Sequence, residues 1–176
     1  MEERLLSRKV VFSGRLLNVY LDEVLLPNGA RRVREVVHHP GAVAVLPILD
    51  DGRVVLVEQY RHAVGRTLLE VPAGTLEPGE TAESCAAREL EEETGYRAGQ
   101  LRELLRFLVS PGWTDEELVV FVAEQLESRA ARPAEDERLT VRVLEPEEVV
   151  AAVRGGAIRD AKSLIAVLAY FGWSLR

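Results

Sequence analysis

The feature that most constrains this chain is residues 81–94, a helix-forming stretch whose acidic residues fall on the face that a helix must bury. Thr81 can cap the start of this helix and Gly95 its end. An α-helix turns by about 100° per residue, so its glutamates divide between two sides. Glu91 falls opposite the apolar face, toward solvent. Three others fall on or beside the apolar face: Glu89, Glu92 and Glu93. The sequence therefore predicts three carboxylates that point into the protein.

Three effects oppose this placement of acidic groups. Like charges at spacings i, i+3 and i+4 repel one another, and an unpaired buried carboxylate is costly. The last turn of a helix also disfavours negative charge, because the helix dipole is negative there. A hard divalent cation with oxygen ligands offsets all three effects, and Mg²⁺ favours a few carboxylates together with substrate phosphates. The alternative is a solvated charged helix in which Arg88 pairs with Glu92 at i+4.

The order of elements along the chain favours a mixed sheet. Strand-like segments come first, and two helical segments end the chain on either side of the Gly155-Gly156 break. Two apolar runs flank Asp51-Gly52, and this pattern predicts a tight hairpin over residues 41–60. This order indicates an α/β or α+β sandwich rather than a doubly wound parallel fold.

Charge and cysteine content exclude several classes of protein. The 22 basic and 29 acidic residues give a net charge of −7, which disfavours a nonspecific nucleic-acid binder. The single cysteine, Cys85, rules out an intramolecular disulfide framework and a cysteine-based zinc site. No apolar run approaches the roughly 20 residues of a membrane span, and the N-terminus lacks the pattern of a secretion signal. We expect a soluble, cytoplasmic protein that binds neither membrane nor nucleic acid.

The spacing of residues from Gly74 onward resembles the Nudix box, and every defined position is present. These positions are Gly74, Glu80, Arg88, Glu89, Leu90, Glu92, Glu93, Gly95 and Tyr96. The resemblance implies a Nudix hydrolase with an α/β/α sandwich fold and a mixed sheet. It also implies cleavage of nucleoside diphosphates linked to another group, with Mg²⁺ or Mn²⁺ as cofactor and two or more ions bound.

Segments outside the box resemble the ADP-ribose pyrophosphatase subfamily. They include "VEQYRHAVGRTLLEVPAGTLEPGE" before the box and "SPGWTDEE" after it, where Pro111 matches a proline of the subfamily. The resemblance implies hydrolysis of ADP-ribose to AMP and ribose 5-phosphate. Related hydrolases of GDP-mannose or ADP-glucose share some of these segments. A nucleotide-binding sensor without catalysis is a third alternative.

The resemblance assigns metal binding to four glutamates and one backbone carbonyl group. The candidate ligands are Glu89, Glu92, Glu93, Glu80 and the carbonyl oxygen of Ala73 or Gly74. Arg88 is expected to orient a carboxylate rather than to contact substrate. The general base is expected from the late acidic loop, with Glu137 ahead of Glu135, and Glu116 is the other candidate. The alternative for the late loop is a solvated segment without a role.

Substrate contacts are expected from three regions of the chain. Arg61, with Gln59 beside it, suits a phosphate or ribose, because a guanidinium matches phosphate oxygens. Arg34 and Glu35 resemble adenine-side residues that often come from a second subunit. Trp113 either stacks on a substrate ring or packs in the protein.

The resemblance also predicts a division of the chain and an assembly. Residues 1–39 are expected to form a β-rich segment that pairs two subunits, and residues 40–176 the Nudix hydrolase domain. The predicted assembly is a homodimer. The histidines show no ligand spacing and receive no role.

Overall fold

The computed structural model describes residues 2–129 and 139–172. The chain divides into two compact units, which are residues 1–41 with 107–117 and residues 42–106 with 118–176. In the described part of the chain, no helix is long and apolar enough to cross a membrane.

The first unit contains a three-stranded antiparallel sheet with strand order β1-β2-β3. Its strands are β1 (Arg4–Ser13), β2 (Asn18–Leu25) and β3 (Arg31–His38). The Pro-Asn-Gly turn joins β2 to β3, and Gly29 takes the positive φ of 81° that this turn requires. The strand-rich N-terminal segment predicted from the sequence is therefore present.

Seven further strands form two sheets. A four-stranded sheet has the order β7-β4-β9-β8, and a three-stranded sheet has the order β10-β5-β6. The strands are β4 (Ala42–Pro47), β5 (Val54–Arg61), β6 (Arg66–Glu70), β7 (Ala73–Thr75), β8 (Tyr96–Leu108), β9 (Glu117–Ser128) and β10 (Leu139–Leu144). Because β4 pairs in parallel with β9 and antiparallel with β7, the predicted mixed sheet is confirmed.

The hairpin predicted over residues 41–60 is wrong in its strand pairing. The turn itself forms, because the Gly52 N–H donates to the Leu49 carbonyl at 2.8 Å and Gly52 has a φ of 89°. However, β4 and β5 share only an isolated bridge between Ile48 and Val54, and they belong to different sheets. Strand β4 is buried at every position, and β7 and β9 occupy both of its edges. No edge of β4 is left for β5 to pair with.

Three α-helices complete the fold: α1 (Ala82–Thr94), α2 (Pro146–Arg154) and α3 (Ala161–Phe171). Helix α1 starts where the Thr81 hydroxyl accepts a hydrogen bond from the Ser84 N–H at 3.2 Å. It ends at Gly95, whose left-handed conformation has a φ of 72°. Its apolar face packs on the mixed sheet in one core cluster. That cluster includes Val43, Val45, Cys85, Ala86, Leu90 and Phe121.

Candidate functional site

Helix α1 turns Glu89 and Glu93 into the protein and Glu91 into solvent, as the helical spacing predicts, whereas the Glu92 side chain, also predicted to point inward, is 43% exposed. Only 8% of Glu89 and 3% of Glu93 are exposed, although both carry a carboxylate. Glu92 is partly exposed, and Glu91 is exposed. Because α1 packs its apolar face on the mixed sheet, the buried acids lie at the edge of that contact.

Arg88 is the cation that three of the acidic side chains share. Its guanidinium donates to both carboxylate oxygens of Glu80, each at 3.0 Å. It also donates to Glu89 Oε1 at 2.7 Å and to Glu92 Oε2 at 3.1 Å. The bond to Arg88 lowers the pKa of Glu80 to about 2, and the same bond raises the pKa of Arg88. The i+4 pair of Arg88 with Glu92 exists, but it is one contact of a larger network.

The backbone at residues 73–74 lies directly against the α1 carboxylates. The Ala73 N–H donates to Glu93 Oε2 at 3.1 Å. A Cβ added to Gly74 would lie 1.9 Å from both Cδ and Oε1 of Glu89. This close approach, rather than a positive φ, is the reason that position 74 requires glycine.

The groups gathered here fit a hard divalent cation. All are oxygen donors, as Mg²⁺ and Mn²⁺ prefer, and two belong to carboxylates that are at least nine-tenths buried. The Arg88 guanidinium already supplies positive charge to three of the four acids. Within residues 2–129 and 139–172, no three acidic, histidine or cysteine side chains converge closely enough to hold an ion. In this arrangement Glu89 and Glu92 are both hydrogen-bonded to Arg88.

A second charged cluster surrounds Glu70, which is only 1% exposed. Arg61 Nη2 donates to Glu70 Oε2 at 2.7 Å, and Lys162 Nζ donates to the same oxygen at 2.5 Å. Lys162 also donates to Asp160 Oδ2 at 2.9 Å. Burial alone would raise the pKa of Glu70, but its bonds with Arg61 and Lys162 outweigh burial and lower it. We did not predict Glu70 or Lys162 from the sequence; a lone acid in the apolar run "TLLEVPAG" was the available signal.

Arg61 links this second cluster to helix α1. Burial acts to lower the pKa of Arg61, but the bond to Glu70 and the nearby charges of Glu93 and Asp160 outweigh it and raise the pKa. Gln59 lies two residues earlier on β5, so its side chain lies on the same face of the strand. The buried Gln59 Oε1 has no hydrogen-bond partner in the described part of the chain. The two predicted substrate contacts therefore share one face of β5, and Arg61 is close enough to Glu93 for that carboxylate to raise its pKa.

The first unit holds the remaining described candidates. Arg34 forms a two-pronged ion pair with Glu3, with Nη2 to Oε1 at 2.6 Å and Nε to Oε2 at 3.0 Å. Glu35 lies exposed on β3, opposite Leu21 on β2. These two predicted adenine-side residues thus lie on the three-stranded sheet of the first unit.

The loop between β8 and β9 carries three more of the predicted residues, namely Pro111, Trp113 and Glu116. Trp113 is 54% exposed, and its carbonyl oxygen accepts a hydrogen bond from the Val37 N–H at 2.8 Å. Glu116 is partly buried, with Oε1 lying 3.9 Å from His39 Nδ1. The exposed indole is therefore available to a ligand rather than packed in a core.

The late acidic loop lies outside the described residues. Glu135 and Glu137, the two preferred general-base candidates, belong to it. Their role stays a prediction.

Comparisons with known proteins match the chain to two domain families and to several relatives along most of its length. The NUDIX domain family matches residues 38–167, and the nucleoside diphosphate sugar hydrolase N-terminal domain family matches residues 3–37. An ADP-ribose pyrophosphatase of Bacillus subtilis (strain 168) is 43% identical over 169 residues, covering 95% of this chain and 91% of that protein. A methanol dehydrogenase activator of Bacillus methanolicus is 42% identical, covering 94% of this chain and 91% of that protein. A crystal structure titled ADP compounds hydrolase aligns with a TM-score of 0.87 at 25% identity, covering 98% of this chain and 94% of that one.

Proposed function

The chain belongs to the Nudix family, and from this premise we propose that it is a metal-dependent hydrolase converting ADP-ribose to AMP and ribose 5-phosphate. The observation that carries the proposal is the pair of buried carboxylates, Glu89 and Glu93, held against residues 73–74. The similarity to an ADP-ribose pyrophosphatase along 95% of the chain supports this substrate.

The proposed metal ligands are the oxygen donors around α1, and the proposed ions are Mg²⁺ or Mn²⁺, at least two of them. The ligands are Glu80, Glu89, Glu92, Glu93 and the carbonyl oxygen of Ala73 or Gly74. Such ions, when bound, neutralise pyrophosphate oxygens and activate water.

Arg88 has a positioning role in this proposal. It keeps Glu80 ionised through two bonds of 3.0 Å, and it supplies positive charge beside Glu89 and Glu92. Because Arg88 can keep both bonds to Glu80, Glu89 and Glu92 can turn toward a cation without leaving the guanidinium unpaired. Arg88 thereby offsets the repulsion that the i, i+3 and i+4 spacing of the acids creates.

Arg61 and Gln59 are the proposed contacts to substrate. Glu70 accepts hydrogen bonds from Nε and Nη2 of Arg61, and the Arg61 side chain is 38% exposed. A partly exposed guanidinium suits a phosphate oxygen. The unpartnered Gln59 Oε1 suits a hydroxyl donor such as a ribose, because buried polar atoms normally have a partner.

The remaining substrate and base assignments rest on the family resemblance. Trp113 is proposed to stack on a ring of the substrate, and its exposure supports this role. Arg34 and Glu35 are proposed to act on the adenine side. The general base is proposed to be Glu137 or Glu135, with Glu116 as the alternative. Single glutamine variants of the three acids, compared through their pH–rate profiles, would identify the base.

We also propose that two subunits pair through the N-terminal segment. Every position of β1 except one is exposed, so side chains on both faces of this strand are accessible to solvent. Large apolar side chains of this sheet are exposed to solvent, including Val10, Phe12 and Val33 at 55–61% exposure. Exposed apolar groups gathered on one segment mark an interaction surface, and a second copy of the chain is the proposed occupant.

A substrate panel tests the function. It compares kcat/KM for ADP-ribose, GDP-mannose and ADP-glucose with Mg²⁺ present. ADP-ribose is expected to give the highest kcat/KM. A higher kcat/KM for another nucleotide sugar would make that sugar the proposed substrate instead. Tight binding of ADP-ribose without turnover would instead indicate a nucleotide sensor.

A further inference from the structure

Lys162 lies in a partly buried position where its ammonium group contacts two carboxylates at once. Its Nζ is 2.5 Å from Glu70 Oε2 and 2.9 Å from Asp160 Oδ2. Asp160 also caps helix α3, because its Oδ2 accepts the Ser163 N–H at 3.1 Å. The Ser163 hydroxyl in turn accepts the Val71 N–H at 2.9 Å, beside Glu70. These contacts fix the first turn of α3 against the end of β6.

The cluster presents one of its cations to the outside. The Arg61 side chain is 38% exposed, whereas the Lys162 side chain is 16% exposed and Glu70 only 1%. A ligand can therefore reach Arg61 more readily than Lys162. Both cations contact the same carboxylate, that of Glu70.

The balance of charge in the cluster depends on Lys162. Two cations, Arg61 and Lys162, stand against two anions, Glu70 and Asp160. Without Lys162 the whole charge of Glu70 would fall on Arg61, and Asp160 would add a second uncompensated charge nearby. Since the negative charge of Glu93 also lies near Arg61, the surroundings of the guanidinium would become net negative. An anionic phosphate would then bind there less well.

We infer that Lys162 is a positioning residue for the nucleoside diphosphate: it acts through Glu70 to keep Arg61 oriented and electropositive toward the phosphates. This inference rests on the proposed function for its substrate, but its geometry involves only Arg61, Glu70, Asp160 and Lys162. The side chains that Lys162 contacts are those of Glu70 and Asp160, and neither is a predicted metal ligand. Its effect should therefore fall on binding of the substrate and not on the chemical step.

Steady-state kinetics with ADP-ribose tests this role in the full-length protein. Lys162→Met keeps a similar length and removes the charge, and it should raise KM about tenfold, as expected for one lost charge near the protein surface. The kcat should stay within about twofold. Lys162→Arg restores the charge and should bring KM back to within about threefold of the wild-type value. Arg142→Met is the matched control, because Arg142 forms an exposed ion pair with Glu58 on the same sheet as β5.

A Glu70→Gln background separates this role from a general structural one. In that background Lys162→Met should raise KM clearly less than it does in the wild-type background, because the shared carboxylate is gone and only the charge of Asp160 is left uncompensated. An equal rise of KM in both backgrounds would overturn the inference. A wild-type KM in folded Lys162→Met would overturn it as well. If Lys162→Met does not fold, judged by circular dichroism, Lys162→Gln is subject to the same criteria.

Calorimetry distinguishes failure of this inference from failure of the proposed function. If the wild-type protein does not hydrolyse ADP-ribose, the proposed function is wrong. The Kd of inorganic pyrophosphate, measured without metal, then replaces KM as the readout. A Kd that rises about tenfold in Lys162→Met and recovers in Lys162→Arg supports the role of Lys162, and an unchanged Kd refutes it.

Discussion

Replacing Gly74 by alanine tests the close approach between helix α1 and residues 73–74. The added Cβ would lie 1.9 Å from Cδ and Oε1 of Glu89, a distance that no packed structure tolerates. Glu89 must move, but it is 8% exposed and bonded to Arg88 at 2.7 Å. The backbone gives no other reason for a penalty, since Gly74 does not have a positive φ.

The expected loss of stability follows from the Arg88–Glu89 hydrogen bond that the added Cβ would break. A hydrogen bond to a charged group contributes about 1.5–3 kcal/mol, so Gly74→Ala should lower the free energy of unfolding by about 2 kcal/mol. For a chain of this size that corresponds to a drop of about 4–8 °C in Tm. Because the Glu89 carboxylate is a proposed metal ligand, Mg²⁺-dependent release of AMP should also fall at least about 100-fold.

Differential scanning calorimetry and an AMP-release assay measure the two effects. Gly112→Ala is the matched control for stability, because a Cβ there meets nothing within 4 Å and the residue has no positive φ. Wild-type Tm and activity in Gly74→Ala would refute the placement of Glu89 against residue 74. Lost activity at unchanged Tm would mean that Arg88 keeps its bond to the displaced Glu89.

Two further predictions concern acid stability and assembly. The folded-state pKa of Glu80, about 2, lies below its ordinary value of 4.5, so this group stabilises the fold above pH 4.5 and loses its contribution as pH falls toward 2. In Glu80→Gln, the Tm should therefore be lower at neutral pH and should decline less between those values, as calorimetry at stepped pH would show; parallel declines in both proteins would contradict the Arg88 contact. Phe12→Glu places a charge on the bare sheet of the first unit and should shift the mass measured by light scattering toward the 19.6 kDa of one chain. A wild-type protein already at that mass at micromolar concentration would refute the dimer.

Local chemistry made helix α1 predictable from the sequence. Its caps, Thr81 and Gly95, and the inward direction of Glu89 and Glu93 depend on residues within a few positions of one another. The helical period alone therefore separates the buried acids from Glu91. The same holds for the Asp51-Gly52 turn, which forms as its dipeptide predicts.

Contacts between residues that are far apart in the sequence were not predictable in the same way. The turn after β4 does not decide which strand β4 pairs with, because that depends on β9, whose residues lie far along the chain. Lys162 and Glu70 are 92 positions apart, so no local pattern reveals their ion pair. Arg61 was predicted from its charge and its place in the resemblance, but Glu70, nine positions further along the chain, was missed because a single acid in an apolar run does not show which side chain it contacts.

The central claim is that the buried carboxylates of α1 hold the metal on which ADP-ribose hydrolysis depends. The most direct measurement compares Mg²⁺-dependent AMP release by wild-type protein, Glu93→Gln and the matched exposed variant Glu91→Gln. Glu93→Gln should lose at least about 100-fold in kcat, since even groups behind metal ligands contribute about 10- to 100-fold, while Glu91→Gln should keep the wild-type rate. Robust turnover by folded Glu93→Gln, or an equal loss in Glu91→Gln, would contradict the account.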